Sequence, residues 1–198
     1  MFIVLEGIDG SGTTSVSKQV FKELESKGIP ALWTHEPSEG PVGLLMRQAL
    51  RGDLNIDKRA TLGLFVADRW WHLDNVIKPA LEEGKIVVCD RYAYSTWVYQ
   101  QDAWKPALLR EIMGGLLAPD RVFILDCPVE EAQRRKTPER EMFDASEAQL
   151  RYRSRYHNLL AYDTFKLGSE KFTIIDALRC DQDTVTKTVL QAVLEERL

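Results

Sequence analysis

Cysteine is scarce in this sequence, and its distribution excludes two kinds of stabilisation. Cys89, Cys127 and Cys180 are the only cysteines, an odd number of widely separated residues without metal-ligand spacing. We therefore expect neither a disulfide framework nor a structural zinc site. Cys89 and Cys127 lie at the ends of apolar runs, so we expect buried free thiols, which suit the reducing cytoplasm.

Long hydrophobic runs and an excess of positive charge are also missing. No apolar stretch approaches the roughly 20 residues that cross a bilayer, and the chain begins with a strand-like run instead of a signal-peptide layout. The net charge is −4, from 26 basic and 30 acidic residues, so we expect no nucleic-acid or membrane partner. The 198 residues are enough for a single domain, residues 1–198.

Five short apolar runs predict strands, and the segments between them have helical spacing. The runs are residues 2–5, 31–34, 86–89, 122–126 and 172–175. Strands that alternate with helices favour right-handed βαβ units and a parallel sheet. We therefore predict a three-layer α/β fold, with a five-stranded parallel sheet and helices on both of its faces.

A glycine-rich loop follows the first run. Residues 7–14 read Gly-Ile-Asp-Gly-Ser-Gly-Thr-Thr and match the phosphate-binding pattern G-x-x-x-x-G-K-[S/T], except that Thr13 replaces the lysine. Glycines let backbone N–H groups turn toward phosphate oxygens, and the N-terminus of the next helix favours an anion. The alternative is a tight turn without a ligand. The loop predicts ATP binding through Gly7, Gly10, Ser11, Gly12, Thr13, Thr14 and Ser15.

Polar residues stand at the carboxyl ends of four predicted strands. Asp9 follows the first strand, His35-Glu36-Pro37 the second and Asp90-Arg91 the third, and Asp126 closes the fourth. Ligands of parallel α/β sheets bind beyond the carboxyl ends of the strands. We expect these side chains to meet along one edge of the sheet.

A charged stretch at residues 134–144 reads Arg-Arg-Lys-Thr-Pro-Glu-Arg-Glu-Met-Phe-Asp. On composition alone such a stretch is a solvated connection between helices. Beside a phosphate-binding loop, its cations favour a short lid that closes over phosphates and excludes water. Both interpretations stay open at this point, and we favour the lid.

Three longer segments resemble one family. Residues 90–100 read Asp-Arg-Tyr-Ala-Tyr-Ser-Thr-Trp-Val-Tyr-Gln, which resembles the D-R-[YFH]-x-x-S-x-x-A-Y-Q signature of the thymidylate kinases (dTMP kinases), with Val98 in place of the alanine. Residues 36–47 resemble the family's E-P-x-x-x-P-x-G-x-x-[IL]-R segment, and residues 64–69 its L-F-x-A-[DN]-R helix motif. The resemblance covers essentially the whole chain and implies a P-loop kinase fold with a short lid.

The resemblance implies a binding site for dTMP. Phe65 is expected to stack on the thymine ring, Arg69 to donate to the polar edge of the base, and Thr96 to hydrogen-bond N3. Arg91 is expected to hold the 5′-phosphate, and Asp9 to accept from the 3′-hydroxyl. The other residues implied at the substrate site are Glu36, Pro37, Arg47, Ser95 and Tyr99. Tyr99 would crowd the 2′ position and favour deoxyribose.

The implied reaction transfers the γ-phosphoryl group of ATP to dTMP, giving dTDP and ADP. Since the acceptor is already an anionic oxygen, catalysis requires positioning and charge neutralisation rather than a strong base. Gly10 directly follows Asp9, so this chain resembles the family members whose catalytic arginine lies in the lid. Residues 139–141 also resemble the E-R-Y-E lid segment of the other kind, so the subclass is mixed. The implied catalytic residues are Asp9, Arg91, Arg135 and Arg140. Mg²⁺ is the implied cofactor, with Thr14 and Asp90 as its contacts. Glu36 is a further candidate for a contact with Mg²⁺ or water, and the alternative for both carboxylates is structural hydrogen bonding.

Thr13 leaves three interpretations open. The enzyme is active and another cation covers the β- and γ-phosphates, either from the lid or from Lys18 on the next helix. Alternatively the protein binds nucleotides with weak or no kinase activity, or it phosphorylates another acceptor such as a modified dUMP. We favour the active kinase, because the acceptor segments are complete.

The resemblance also implies a homodimer, since family members commonly pair through helices of this region. Trp70, Trp71 and Trp97 lie on the segments concerned. The alternative is that some of these tryptophans fill the core.

Overall fold

The computed structural model describes residues 1–135, 146–161 and 165–196. Of the predicted lid, only Arg134 and Arg135 fall within these ranges. Arg140 lies outside the described residues.

The predicted sheet is confirmed. Within the described ranges, five strands form one sheet in the order β2-β3-β1-β4-β5, and every neighbouring pair is parallel. Each observed strand contains its predicted run and is one or two residues longer. The strands are β1 (Phe2–Gly7), β2 (Ala31–His35), β3 (Ile86–Asp90), β4 (Arg121–Asp126) and β5 (Lys171–Asp176).

Helices fill the connections between the strands. A π-helical turn, Leu73–Ile77, joins α3 to α4, so the two form one continuous rod. The helices in chain order are α1 (Thr13–Ser26), α2 (Pro41–Arg51), α3 (Lys58–His72), α4 (Lys78–Glu82), α5 (Ala93–Gln100), α6 (Pro106–Ile112), α7 (Val129–Arg135), α8 (Ser146–Ala161) and α9 (Gln182–Glu195).

The strand order decides which face of the sheet each helix covers. The first crossover runs from central β1 to edge strand β2, whereas the later crossovers run in the opposite direction, toward β5. Because such crossovers are right-handed, α1 lies on one face and helices α2–α8 lie on the other. Helix α9 packs against α1. The result is the predicted three-layer arrangement.

The core lies at the three central strands. All residues of β1 and β3 are buried, and Ile3, Val4 and Leu5 have no exposed surface. Continuous apolar runs of this kind are expected where helices cover both faces of a parallel sheet. The edge strands β2 and β5 are partly exposed.

Among the described residues, no helix combines the length and the apolar character that crossing a bilayer requires.

Candidate active site

The loop after β1 has the backbone of a phosphate cradle. Gly10 and Gly12 adopt φ values of 85° and 99°, which other residues rarely adopt, and α1 begins immediately afterwards at Thr13. The Ser11 amide donates to the carbonyl of Ile8 over 3.1 Å and closes the turn. The loop therefore directs a helix N-terminus, with its partial positive charge, at the space beyond the strand.

A cleft of about 890 Å³ opens over this loop. Its lining includes loop residues 9–16, which contain most of the predicted ATP-binding residues, and Arg91 from the segment after β3. The segment between β5 and α9 contributes Cys180, a partly exposed free thiol. The remaining lining residues are Leu125, Arg135, Ala177, Asp181, Gln182 and Val185. We call this space the donor cleft.

Thr13 is buried and brings no charge to the donor cleft. Arg135, at the end of α7, lines the cleft instead and is held by two contacts. Its Nε donates to Glu131 over 2.8 Å, and its Nη2 donates to the carbonyl of Ala177 over 3.0 Å. Lys18, the other cation we considered, is not among the cleft residues, because its Nζ lies over the Trp33 ring, 4.6 Å from the centroid. Arg135 is thus the better placed of the two cations.

Thr14 and Asp90 meet at the floor of the loop, where the Thr14 hydroxyl donates to Oδ2 of Asp90. The other carboxylate oxygen of Asp90, Oδ1, is buried without a hydrogen-bond partner in the described part of the chain. Buried polar atoms are normally paired, so an unpaired carboxylate oxygen beside a hydroxyl suits a hard cation such as Mg²⁺. No group of three or more His, Cys, Asp or Glu side chains elsewhere in the described residues has the geometry of a metal site.

A smaller pocket of about 120 Å³ lies beside the donor cleft, and we call it the acceptor pocket. Helix α3 provides Phe65 and Arg69, which lie one turn apart on the same face of the helix. Nine of the ten predicted substrate residues line this pocket, the exception being Arg47. They are Asp9, Glu36, Pro37, Phe65, Arg69, Arg91, Ser95, Thr96 and Tyr99; Leu50 and Tyr92 line it as well.

Arg91 stands between the two spaces and lines both of them, as does Asp9. Its Nη2 donates to Oδ1 of Asp9 over 2.6 Å, and its Nη1 donates to the carbonyl of Gly7 over 3.0 Å. Burial would lower the pKa of Arg91, but Tyr99 and Asp9 outweigh that effect and raise it. A charged guanidinium is therefore fixed where the two spaces meet.

The Arg91 backbone has a φ of 70°, an uncommon conformation for a residue with a side chain. Strain of this kind persists where the surrounding structure determines it. Here the Arg91 amide donates to the Leu5 carbonyl over 2.9 Å, and the Tyr92 amide donates to the buried carboxylate of Glu6 over 2.8 Å. Glu6 also accepts from Ser95 and Tyr156. We did not predict Glu6, although an acidic residue between an apolar run and the glycine-rich loop was a usable signal.

Arg69 forms the floor of the acceptor pocket and is 1% exposed. Its Nε and Nη2 contact Oε2 of Glu36 at 2.8 and 2.6 Å, and Nη2 also donates to the Thr96 hydroxyl over 3.0 Å. Its Nη1 is buried and has no hydrogen-bond partner among the described residues. Leaving a buried charged donor unpaired costs free energy, so Nη1 is suited to donate to an acceptor on a bound ligand.

Two predicted residues are engaged differently from our expectation. Arg47 donates to the carbonyls of Pro37 and Ser38 over 2.6 and 2.7 Å and pairs with Glu39, so it supports the loop after β2 instead of lining the acceptor pocket. Glu36 lines the pocket, and its carboxylate pairs with Arg69 and contacts His72, which is the structural alternative to a contact with Mg²⁺ or water. His72 was not predicted, because one histidine on an amphipathic helix carries no functional pattern.

Asp126, the fourth carboxyl-end residue, faces helix α8. It accepts two hydrogen bonds from Arg153, over 2.6 and 2.9 Å, and contacts His157 at 3.0 Å. The hydrogen bonds from Arg153 lower the pKa of Asp126 below its usual range. Asp126 therefore anchors α8 to the sheet, and it is not among the lining residues of either the cleft or the pocket.

Comparisons with known proteins give a consistent result. A family model described as thymidylate kinase matches residues 5–188 of this chain. The chain is 42% identical to a probable thymidylate kinase of Pyrococcus horikoshii over 143 residues, 68% of each protein. It is 35% identical to a probable thymidylate kinase of Methanosarcina acetivorans, over 98% of this chain and 95% of that one, and 33% identical to a thymidylate kinase of Leptospira borgpetersenii over 86% of each. The chain belongs to the thymidylate kinase family.

Proposed function

We propose that this protein transfers the γ-phosphoryl group of ATP to the 5′-phosphate of dTMP, giving dTDP and ADP. The observation that carries the proposal is that the donor cleft and the acceptor pocket share Asp9 and Arg91. A triphosphate seated on the glycine-rich loop and a monophosphate in the pocket would meet at one guanidinium. Such a shared cation suits phosphoryl transfer, because positioning and charge stabilisation supply most of its catalysis.

Base selection in this proposal falls to Arg69 and Thr96. Nη1 of Arg69, which has no hydrogen-bond partner within the described ranges, offers N–H donors to a carbonyl group, as thymine presents at O4. Cytosine presents an amino group at that position, and its hydrogens would oppose those of the guanidinium. Phe65 supplies an aromatic face at the same pocket, on which a base would stack.

The acceptor phosphate would bind at Arg91, whose planar fork suits two phosphate oxygens. Asp9 orients this fork and also accepts from Gln149 over 3.2 Å. In the proposal Asp9 additionally accepts from the 3′-hydroxyl of the sugar. Tyr99, whose hydroxyl lies 3.4 Å from Asp9, borders the same part of the pocket and would exclude a 2′-hydroxyl.

Thr14 and Asp90 are the residues that we propose to hold Mg²⁺. Thr14 would offer its hydroxyl oxygen, and Asp90 the buried Oδ1 that lacks a partner among the described residues. When bound, the ion would neutralise charge on the β- and γ-phosphates of ATP.

Arg135 is the cation that we propose to replace the missing lysine, with Arg140 of the lid as a further candidate. Replacing Arg135 with alanine is expected to lower kcat by about 100-fold or more, because removing one cation from the transferred phosphoryl group loses transition-state stabilisation. Steady-state kinetics at saturating ATP and dTMP measure this effect.

Arg134 is the matched control for that experiment. It lies next to Arg135 and pairs with the same Glu131, but 74% of its side chain is exposed and it does not line the donor cleft. Arg134→Ala is expected to change kcat less than about threefold, as most exposed ion pairs contribute little. Equal losses in both variants would contradict the assignment of Arg135.

The proposed function is tested by incubating the protein with ATP, Mg²⁺ and dTMP and measuring ADP and dTDP. We expect turnover with dTMP and weaker turnover with dUMP and dGMP. Binding of both nucleotides without turnover would establish instead a nucleotide-binding protein. Faster turnover of a 5-substituted dUMP than of dTMP would indicate that the natural acceptor is a modified nucleotide.

We further propose a homodimer formed through α2 and α3. These helices pack together, and they expose Leu44, Leu45 and Trp70 with 50%, 41% and 37% of their surfaces accessible. Trp97, in contrast, is buried and stacks on Phe165 at 4.6 Å, so it belongs to the core.

The free thiols and the need for ATP support a cytoplasmic location.

The dimer is tested by replacing Trp70 with glutamate. We expect the wild-type protein to have twice the mass of the chain by light scattering, and Trp70→Glu to shift it to the monomer, since a buried charge opposes an apolar contact. Leu150→Glu on α8, at a site 54% exposed and away from α2 and α3, should leave the mass unchanged. A wild-type protein with the mass of one chain would exclude the dimer.

A further inference from the structure

His72 is a buried titratable residue without a part in the proposed reaction. It is the last residue of α3, directly before the π-helical turn, and it has no exposed surface. Its Nε2 lies 2.6 Å from the hydroxyl of Thr34 on β2, and its Nδ1 lies 3.3 Å from Oε1 of Glu36. Both ring nitrogens are therefore engaged, one with the edge strand and one with the acceptor pocket.

The partners of the ring define its hydrogen-bonding roles. Burial would raise the pKa of Glu36, but the charge of Arg69 and the hydrogen bond from His72 outweigh it and lower the pKa. Glu36 is thus a carboxylate that only accepts, so Nδ1 of His72 carries a proton and donates to Oε1. In the neutral imidazole Nε2 is then the acceptor, and the Thr34 hydroxyl donates to it.

Glu36 is consequently held from two sides. His72 occupies Oε1, and the Nε and Nη2 groups of Arg69 occupy Oε2. With Nε and Nη2 fixed in this way, the planar guanidinium has one orientation, in which Nη1 is left without a partner in the described structure. The contacts on Oε1 and Oε2 thus fix the orientation of the Glu36 carboxylate and, through it, the plane of the guanidinium.

We infer that His72 is a positioning residue for base recognition, which holds Glu36 so that Arg69 presents Nη1 to the carbonyl edge of a thymine. The inference rests on the proposed function. His72 acts only through Glu36 and Arg69, and it does not line the acceptor pocket. Its contribution is therefore to acceptor binding and base discrimination rather than to the transfer step.

Three substitutions of His72 test the contacts of its two ring nitrogens separately. The amide nitrogen of asparagine overlies Nδ1 of histidine, so His72→Asn keeps a donor for Glu36. The longer side chain of glutamine places its amide near Nε2, so His72→Gln keeps only the contact with Thr34. His72→Leu keeps neither. KM and kcat for dTMP and dCMP, calorimetric Kd values without ATP, and unfolding temperatures are measured for each protein.

We expect His72→Leu and His72→Gln to raise KM for dTMP about tenfold, the loss expected when a buried charged group loses one hydrogen-bond partner. The preference for dTMP over dCMP should fall about tenfold, with kcat for dTMP and KM for ATP nearly unchanged. His72→Asn should return both values to within about threefold of the wild type. If His72→Leu does not fold, His72→Gln and His72→Asn form the test, because only the asparagine keeps a donor for Glu36. Thr34→Val removes only the contact with Nε2, so it should stay, like His72→Asn, within about threefold of the wild type.

An unchanged preference for dTMP over dCMP in His72→Leu and His72→Gln would overturn the inference. The inference would also be overturned if the changes in KM and in the dTMP preference correlated with the unfolding temperatures of the variants rather than with the presence of a donor facing Glu36. Failure of the proposed function looks different, because the wild-type protein would then bind dTMP without phosphorylating it. In that case the Kd values still decide the role of His72.

Discussion

Replacing Arg91 with alanine is expected to lower kcat/KM for dTMP by about 1,000-fold or more. Among the residues that line the donor cleft and the acceptor pocket, Arg91 is the one cation common to both. Its loss removes the guanidinium that would hold the acceptor phosphate. It also removes a positive charge from the place where the phosphoryl group is transferred. It also leaves Asp9 without the charge 2.6 Å away. Repulsion between that carboxylate and an incoming phosphate adds to the loss.

Two variants make the Arg91 prediction specific. Arg91→Lys keeps the charge but loses the bidentate fork, and it should recover part of the activity. Arg47→Ala removes a guanidinium that contacts loop carbonyls instead of lining the pocket, and it should raise KM for dTMP about tenfold with little change in kcat. Calorimetry with ATP and thermal unfolding show whether the donor site and the fold persist. An Arg91→Ala enzyme within tenfold of the wild type would refute the phosphate-site assignment.

Replacing Gly43 with alanine is expected to lower the free energy of unfolding by about 3 kcal/mol. A Cβ at Gly43 would lie 2.7 Å from the backbone N and C of Ser38 and still closer to the Ser38 carbonyl oxygen. Ser38 has no room to yield, because its amide and hydroxyl donate to Asp68 over 2.7 and 2.5 Å, and Arg47 binds its carbonyl. The clash should therefore separate α2 from the loop that carries Glu36.

Gly63→Ala is the control for Gly43→Ala. Gly63 lies within α3 and is exposed, and nothing stands within 4 Å of the position of an added Cβ. Since alanine favours a helix more than glycine does, this change should stabilise the protein by about 0.5–1 kcal/mol. Urea unfolding measures both variants. Gly43→Ala should in addition raise KM for dTMP while leaving ATP binding intact, and a Gly43→Ala protein as stable as the wild type would contradict the packing argument.

The sheet was predictable from the sequence because each strand is marked by a local pattern of apolar residues. A strand covered on both faces needs a continuous apolar run, and β1 and β3 have such runs followed at once by polar residues. The same regularity placed Asp9 and Arg91 at one edge of the sheet. The extra strand residues, such as Glu6, were not predicted because a buried carboxylate interrupts the apolar pattern.

The hydrogen-bond partners at the site were not predictable, because they depend on the approach of distant segments. Arg47 follows the family pattern for a substrate residue, yet the short span back to Pro37 and Ser38 lets it bind their carbonyls. His72 gains its role only when α3 packs beside β2 and the loop after it. Thr13 marks a missing charge in the sequence, but the placement of Arg135 at the donor cleft depends on where α7 ends.

The location of Cys180 has a practical consequence. Cys89 and Cys127 are fully buried, whereas Cys180 is partly exposed and borders the donor cleft. A maleimide fluorophore added to the native protein should therefore label one position, and bound ATP should slow that labelling by covering the thiol. The rate of labelling then reports donor binding on a protein without engineered residues.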